Sequence, residues 1–150
     1  MRRYLWRLEI LSASFTYYQP RKDREMTDHI TDNFYRHEFA CKGQGCCGHS
    51  APINMDLVYK LEMLREQIGP MTINSGFRCR KHNAAVGGSV NSQHTIGNAA
   101  DIDLGTRDIW DVKQKAIELG FRGIGLYDTF IHLDVRNNHI ALPLIWDKRS

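Results

Sequence analysis

His94 and Asp101 stand seven residues apart, and most of the residues between them, Thr95-Ile96-Gly97-Asn98-Ala99-Ala100, are small and turn-tolerant. Side chains that meet on one helical face are separated by three or four positions, so this spacing excludes neighbours on a helix turn and calls for a loop running into a strand. Gly97, Asn98, Ala99 and Ala100 suit that geometry, because they let the backbone fold close to a shared centre before Asp101 enters an apolar stretch. A third residue, His132, lies in Phe130-Ile131-His132-Leu133-Asp134. Strand alternation there puts Phe130, His132 and Asp134 on one face and Ile131, Leu133 and Val135 on the other. Two imidazoles and one carboxylate are a donor set for catalytic Zn2+, which takes three protein ligands and keeps one position open, whereas a structural site fills all four.

Periodicity supplies the surrounding elements. From Asp56 to Ile68 the apolar residues Leu57, Val58, Leu61, Leu64 and Ile68 recur at three and four, which predicts an amphipathic helix stopped by Gly69-Pro70. Met71 to Asn74 reads as a short strand leading into Ser75-Gly76-Phe77-Arg78, and Arg80 to Ala85 as a short helix before the Gly87-Gly88 turn. Asp101 to Leu104 reads as a strand, and Thr106 as the cap of a second long helix that runs to Leu119 and is closed by Gly120. Gly123 to Tyr127 and Thr129 to Val135 read as the arms of a hairpin around Asp128. These elements predict a single α+β domain with a mainly antiparallel sheet and packed helices, and 150 residues are enough to bury its core without disulfides.

Several separated motifs agree in order: Ser75-Gly76-Phe77-Arg78, His82-Asn83-Ala84-Ala85-Val86-Gly87-Gly88, Ser92 to Asp101, and Gly123-Ile124-Gly125-Leu126-Tyr127 ahead of His132 and Asp134. From about Phe34 to Arg136 the chain resembles the zinc D-alanyl-D-alanine carboxypeptidase family of cell-wall peptidases, whose pattern is SxHxxGxAxD followed by a distal HxH or HxD. Ser92, His94, Gly97, Ala99 and Asp101 fit every fixed position of that pattern. The likeness is greatest to the small single-domain branch of phage lysis enzymes and murein hydrolases.

The resemblance implies a hedgehog/DD-peptidase-like fold and Zn2+ held by His94, Asp101 and His132. It implies hydrolysis of a peptide bond in peptidoglycan stem peptides or cross-links, as a D,D-carboxypeptidase or a murein endopeptidase, with a phage endolysin among the roles. Many relatives place an acidic general base three positions before the last histidine, where this chain has Thr129, which cannot serve. Asp134 is the first candidate for that role and Asp128 the second; Asp134 could instead orient a ligand histidine. Arg78 is expected to neutralise a developing oxyanion or hold a substrate carboxylate. Ser92 and Gln93 are expected to bind the substrate backbone, unless Ser92 only shapes the turn. The competing function is a catalytically silent zinc-containing binding module, since hedgehog signalling domains share a similar site and Thr129 is the kind of change that disables chemistry.

The formal charge of +3 is spread over dispersed Lys and Arg, which argues against a nucleic-acid partner. No apolar run approaches the roughly 20 residues of a membrane span. Arg7 and Glu9 interrupt the apolar stretch within Met1 to Phe15 and no small-residue cleavage site follows, so no secretory signal is read there. The expected location is therefore cytoplasmic until something else, such as a phage holin or cell lysis, releases the protein to the wall. The expected state is a monomer. Met26 opens a natural beginning for the domain, 26–150, and residues 1–25 read either as lying upstream of the true start or as an added element packing Leu5, Trp6, Leu8, Ile10 and Leu11 on the core. Cys41, Cys46, Cys47 and Cys79 show neither CxxC spacing nor a second matching pair, so reduced or optionally paired thiols are expected rather than a second zinc site.

Overall fold

Leu57, Val58, Leu61 and Leu64 lie fully buried along one side of helix α1 (Met55–Ile68), which realises the three-and-four spacing of the sequence. The Asn54 side chain caps α1 by accepting from the Asp56 N–H at 3.0 Å, and Gly69, at φ 83°, ends it. The structure is a computed structural model that describes residues 28–137, 139 and 141–150. The extension 1–25 and the start at Met26 lie outside the described residues.

Helix α2 (Arg80–Ala85) has the bounds expected of it, and helix α3 is Ile109–Glu118. The cap of α3 is Asp108, whose carboxylate accepts from the Trp110 N–H at 3.0 Å, and not Thr106. Residues 104–107 are instead spent on a turn closed by the Arg107 N–H to the Leu104 carbonyl at 2.9 Å.

Five strands, β1 (Ile73–Ser75), β2 (Ala99–Asp103), β3 (Gly123–Leu126), β4 (Phe130–Asp134) and β5 (Leu144–Asp147), form one sheet in the order β1-β2-β4-β3-β5. Every pairing is antiparallel except β3 with β5. The single α+β domain and its mainly antiparallel sheet are thus as expected, but β5 has no counterpart in the sequence reading. It is an edge strand, largely exposed and without the alternation that marks a half-buried strand.

Ala100 and Ile102 of β2, Ile124 and Leu126 of β3, and Ile131 and Leu133 of β4 enter the core with α1 and with Val112 and Ala116 of α3. The intervening residues face the other way. Cross-strand register there sets Asp101 opposite His132, Gly123 opposite Asp134 and Gly125 opposite His132. A Cβ at Gly123 would overlap the Asp134 carboxylate, and one at Gly125 would sit 2.6 Å from the Trp146 indole. The two glycines of β3 therefore make room for the side chains around His132. Among the described residues no helix is long and apolar enough to cross a membrane.

Gly123→Ala should cost about 1–3 kcal/mol, because the added methyl forces a fully buried carboxylate off its partners. A thermal melt should show this as a midpoint lowered by several degrees; an unchanged midpoint would mean that Asp134 is free to move.

Candidate metal centre

Ser92 begins a 3-10 turn over Gln93–Ile96, its hydroxyl accepting from the His94 N–H at 3.3 Å. The turn ends at Gly97, φ 76°, where any side chain would strike the Pro52 carbonyl oxygen at 2.5 Å. This tight reversal delivers His94 to the polar face of β2, where Asp101 already faces His132 across the ladder.

Each of the three is fixed from behind. His94 Nδ1 lies 2.6 Å from the Gly76 carbonyl oxygen, which can only accept, so Nδ1 carries the proton and Nε2 presents a lone pair. His132 Nε2 lies 3.0 Å from Asp134 Oδ2, a carboxylate also bonded by Arg136 through Nε at 2.9 Å and the backbone N–H at 3.1 Å. His132 therefore donates from Nε2 and turns the lone pair of Nδ1 inward. Asp101 Oδ2 accepts from Arg78 Nη2 at 2.7 Å, leaving Oδ1.

Three acceptor atoms consequently converge with no proton between them. His94 Nε2 is 3.1 Å from Asp101 Oδ1 and 3.1 Å from His132 Nδ1, and His132 Nδ1 is 2.9 Å from Asp101 Oδ1. Lone pairs at these distances repel unless a cation lies among them. Zinc–nitrogen and zinc–oxygen bonds of about 2.0–2.2 Å place tetrahedral donors about 3.3–3.6 Å apart, a spread that small side-chain shifts from the observed separations reach, so these residues fit a zinc ion. The titration behaviour agrees with a site built for positive charge. Burial opposes ionisation of Asp101, yet His132 and His94 outweigh it and hold the carboxyl far below the usual range. Burial likewise disfavours the His132 imidazolium, but Asp101 and Asp134 overcome it and push its pKa up, so a proton on Nδ1 competes with a metal cation for the same place and binding the ion displaces it.

The cluster lies in the wall of a pocket of about 670 Å³, which Arg78, Ser92, Gln93, Phe130 and Trp146 help to line. Arg78 is oriented by the Ser75 hydroxyl, which accepts from Nε at 2.9 Å. The Gln93 side-chain oxygen accepts from Asn98 at 3.1 Å. Asp134 is not on the pocket side of His132: it is fully buried behind the ring. Asp128 is exposed at the hairpin tip, where its carboxylate accepts from the Ser150 N–H and hydroxyl, each at 3.2 Å. His94, Asp101 and His132 are thus brought together with Arg78, whereas neither candidate base joins the cluster.

Three contributors escaped the sequence reading. Arg136 grips Asp134, and the alternation that aligns His132 with Asp134 could have been continued two residues to find it. Trp146 stands 5.2 Å from His132, ring to ring, and donates to the Tyr127 hydroxyl at 3.3 Å; lying on the unforeseen β5, it carried no local signal. Asn83 is buried and donates to the Ser89 carbonyl at 2.8 Å, pinning the loop that carries Val86 to Ser89 along the pocket. A Cβ at Gly88 would overlap the Asn83 side chain, which accounts for glycine there.

The family described as Peptidase M15 matches residues 32–134. A zinc D-Ala-D-Ala carboxypeptidase of Streptomyces albus G is 39% identical over 69 residues, which are 45% of this chain and 27% of that protein. The matched stretch therefore spans about a quarter of the relative's length.

The burial of Asp134 would raise its pKa, but bonds from Arg136 and His132 prevail and lower it to about 2. The folded value lies below the unfolded one, so the contribution to stability is full above about pH 4 and is lost as pH falls through 2. In the chelated protein, acid unfolding of the wild type should therefore lose about 2 kcal/mol more between pH 4 and 2 than Asp134→Asn does. Parallel curves would show that the Arg136 pairing contributes nothing.

Proposed function

The chain belongs to the peptidase M15 family, and from that premise we propose that it is a zinc peptidase hydrolysing a peptide bond next to a D-amino acid in peptidoglycan stems or cross-links. The observation that carries this reading is the convergence of three proton-free acceptors in the wall of a pocket large enough for a peptide segment. His94, Asp101 and His132 would hold the ion as three ligands, the number that leaves a coordination position open for chemistry. When bound, zinc supplies Lewis acidity toward an amide carbonyl and makes water acidic enough to react near neutral pH.

The chain's own residues divide the remaining work. Arg78 lines the pocket while bonded to Asp101, so its fixed charge serves the oxyanion that develops as the amide is attacked. Asp134 is a positioning residue that keeps the His132 tautomer and ring in place. Asp128 is the proton carrier, on a hairpin turn flanked by Tyr127 and Phe130, both of which line the pocket. Ser92 and Gln93 bind the substrate backbone from the same wall.

Incubation with purified peptidoglycan should release new amines in the presence of zinc and none after chelation, with the fragment masses naming the bond. Asp128→Asn should lower kcat by at least tenfold with zinc retained, and Asp134→Asn should weaken zinc affinity by about 10–100-fold. Stoichiometric zinc without cleavage of any wall type would replace the peptidase by a silent binding module.

A further inference from the structure

Cys41, Cys46 and Cys47 lie on the loop after the 3-10 turn Arg36–Phe39, and Cys79 is the N-cap residue of α2. Their sequence shows neither CxxC spacing nor a second matching pair, and adjacent cysteines rarely face one centre, which predicts reduced or optionally paired thiols; the loop itself holds three thiols and no fourth ligand. The fold supplies that fourth ligand from a distant segment. All four Sγ atoms lie within 4.8 Å of one another, with Cys41 to Cys46 at 3.7 Å and Cys46 to Cys47 at 3.8 Å. These separations are far beyond the roughly 2.05 Å of a disulfide, and all four thiols are free. A tetrahedron with zinc–sulfur bonds of about 2.3 Å has an edge of about 3.8 Å.

The surroundings hold this geometry. The His82 N–H points to Cys79 Sγ at 3.4 Å, and His82 Nδ1 lies 3.3 Å from Cys41 Sγ. Gly43 passes so close that a Cβ would be 2.8 Å from both Cys46 Sγ and the His82 side chain. Lys81 Nζ donates to the Gly45 carbonyl at 3.0 Å, and Lys42 Nζ to the Ile73 and Asn74 carbonyls at 2.9 and 2.8 Å. The loop is thus fastened to α2 and β1 by cations suited to an anionic centre.

We propose that Cys41, Cys46, Cys47 and Cys79 bind a second zinc ion as a closed tetrathiolate, a structural site that shares no residue with the catalytic one. Binding forms four zinc–sulfur bonds and releases the four thiol protons to solvent, with no change of oxidation state. Four protein donors leave no open position, so the site holds structure and does no chemistry. Its effect on the pocket runs through the chain: Cys79 follows Arg78, so anchoring Cys79 to the loop steadies the guanidinium on Asp101. The inference is independent of whether the protein cleaves peptidoglycan.

The test is metal content of the full chain, produced with zinc and purified under reducing conditions. Two zinc ions per chain are expected by atomic emission, and one in the double variant His94→Ala/His132→Ala. With cobalt in place of zinc, that variant should show thiolate-to-cobalt charge-transfer absorption and the intense visible bands of a tetrahedral site. A metal-free double variant, iron in place of zinc, or an intact mass showing an oxidised cysteine pair would overturn the proposal. Should the double variant fail to fold, mercurial titration of the wild type decides: one of two zinc ions released in step with four thiols supports the site, and no release coupled to thiols refutes it.

Discussion

Three lone pairs aimed at one point are an unstable arrangement by themselves, and the rest of the structure supplies what keeps them there. The Gly76 carbonyl holds His94, Arg78 holds Asp101, and Asp134 holds His132. The first two belong to the segment leaving β1, and the third to the strand that carries His132 itself. A cation therefore ties the 3-10 turn, the end of β1, β2 and β4 into one unit, and binding energy at the centre is also folding energy. Asp134 extends the chain of support outward, since its buried charge is tolerable only because Arg136 meets it from the other side.

The sheet makes this convergence possible by keeping its two faces distinct. Ile102, Ile131 and Leu133 are locked among the helices. A one-residue slip of β4 would drive His132 and Asp134 into that apolar layer and bring Ile131 and Leu133 to the ligands. The apolar core thus fixes the register of the metal centre even though it touches none of its chemistry. Gly123 and Gly125 complete the arrangement from the neighbouring strand, where anything larger would claim the volume occupied by Asp134 and Trp146.

What could be read from the chain alone was what is encoded locally. Helix α1 follows from apolar spacing and its glycine stop, α2 from the residues between Cys79 and the Gly87-Gly88 turn, and the hairpin from alternation around Asp128. The gathering of His94, Asp101 and His132 was legible chiefly from the resemblance, through SxHxxGxAxD and the distal HxD; the seven-residue step and the strand period agree with it but would be weak alone. The cap of α3 was misplaced because Thr106 and Asp108 are both good N-caps, and only the turn closed on Leu104 decides between them. Strand β5 and the approach of Cys79 to the other three thiols escaped for a different reason. Trp146 and Cys79 acquire their meaning from partners far along the chain, His132 for one and Cys41 to Cys47 for the other.

The same distinction separates the two carboxylates that compete for the proton. Sequence alternation puts Asp134 on the ligand face of β4, which is correct, but a face does not say on which side of the histidine ring a group stands. Its oxygens accept from His132, from Arg136 Nε and Nη2 and from the Arg136 backbone N–H, so its accepting capacity is committed. Taking a proton there would give up the pairing with Arg136 and loosen His132 in the same step. Among the described residues the Asp128 carboxylate accepts from the exposed Ser150 and lies near enough to Arg149 to feel its charge, partners that can be exchanged for water or substrate at little cost. A group that must gain and lose a proton in each turnover is better placed among exchangeable partners than in the bonds that hold a ligand histidine, and on that physical asymmetry rests the proposal that Asp128, rather than Asp134, carries the proton.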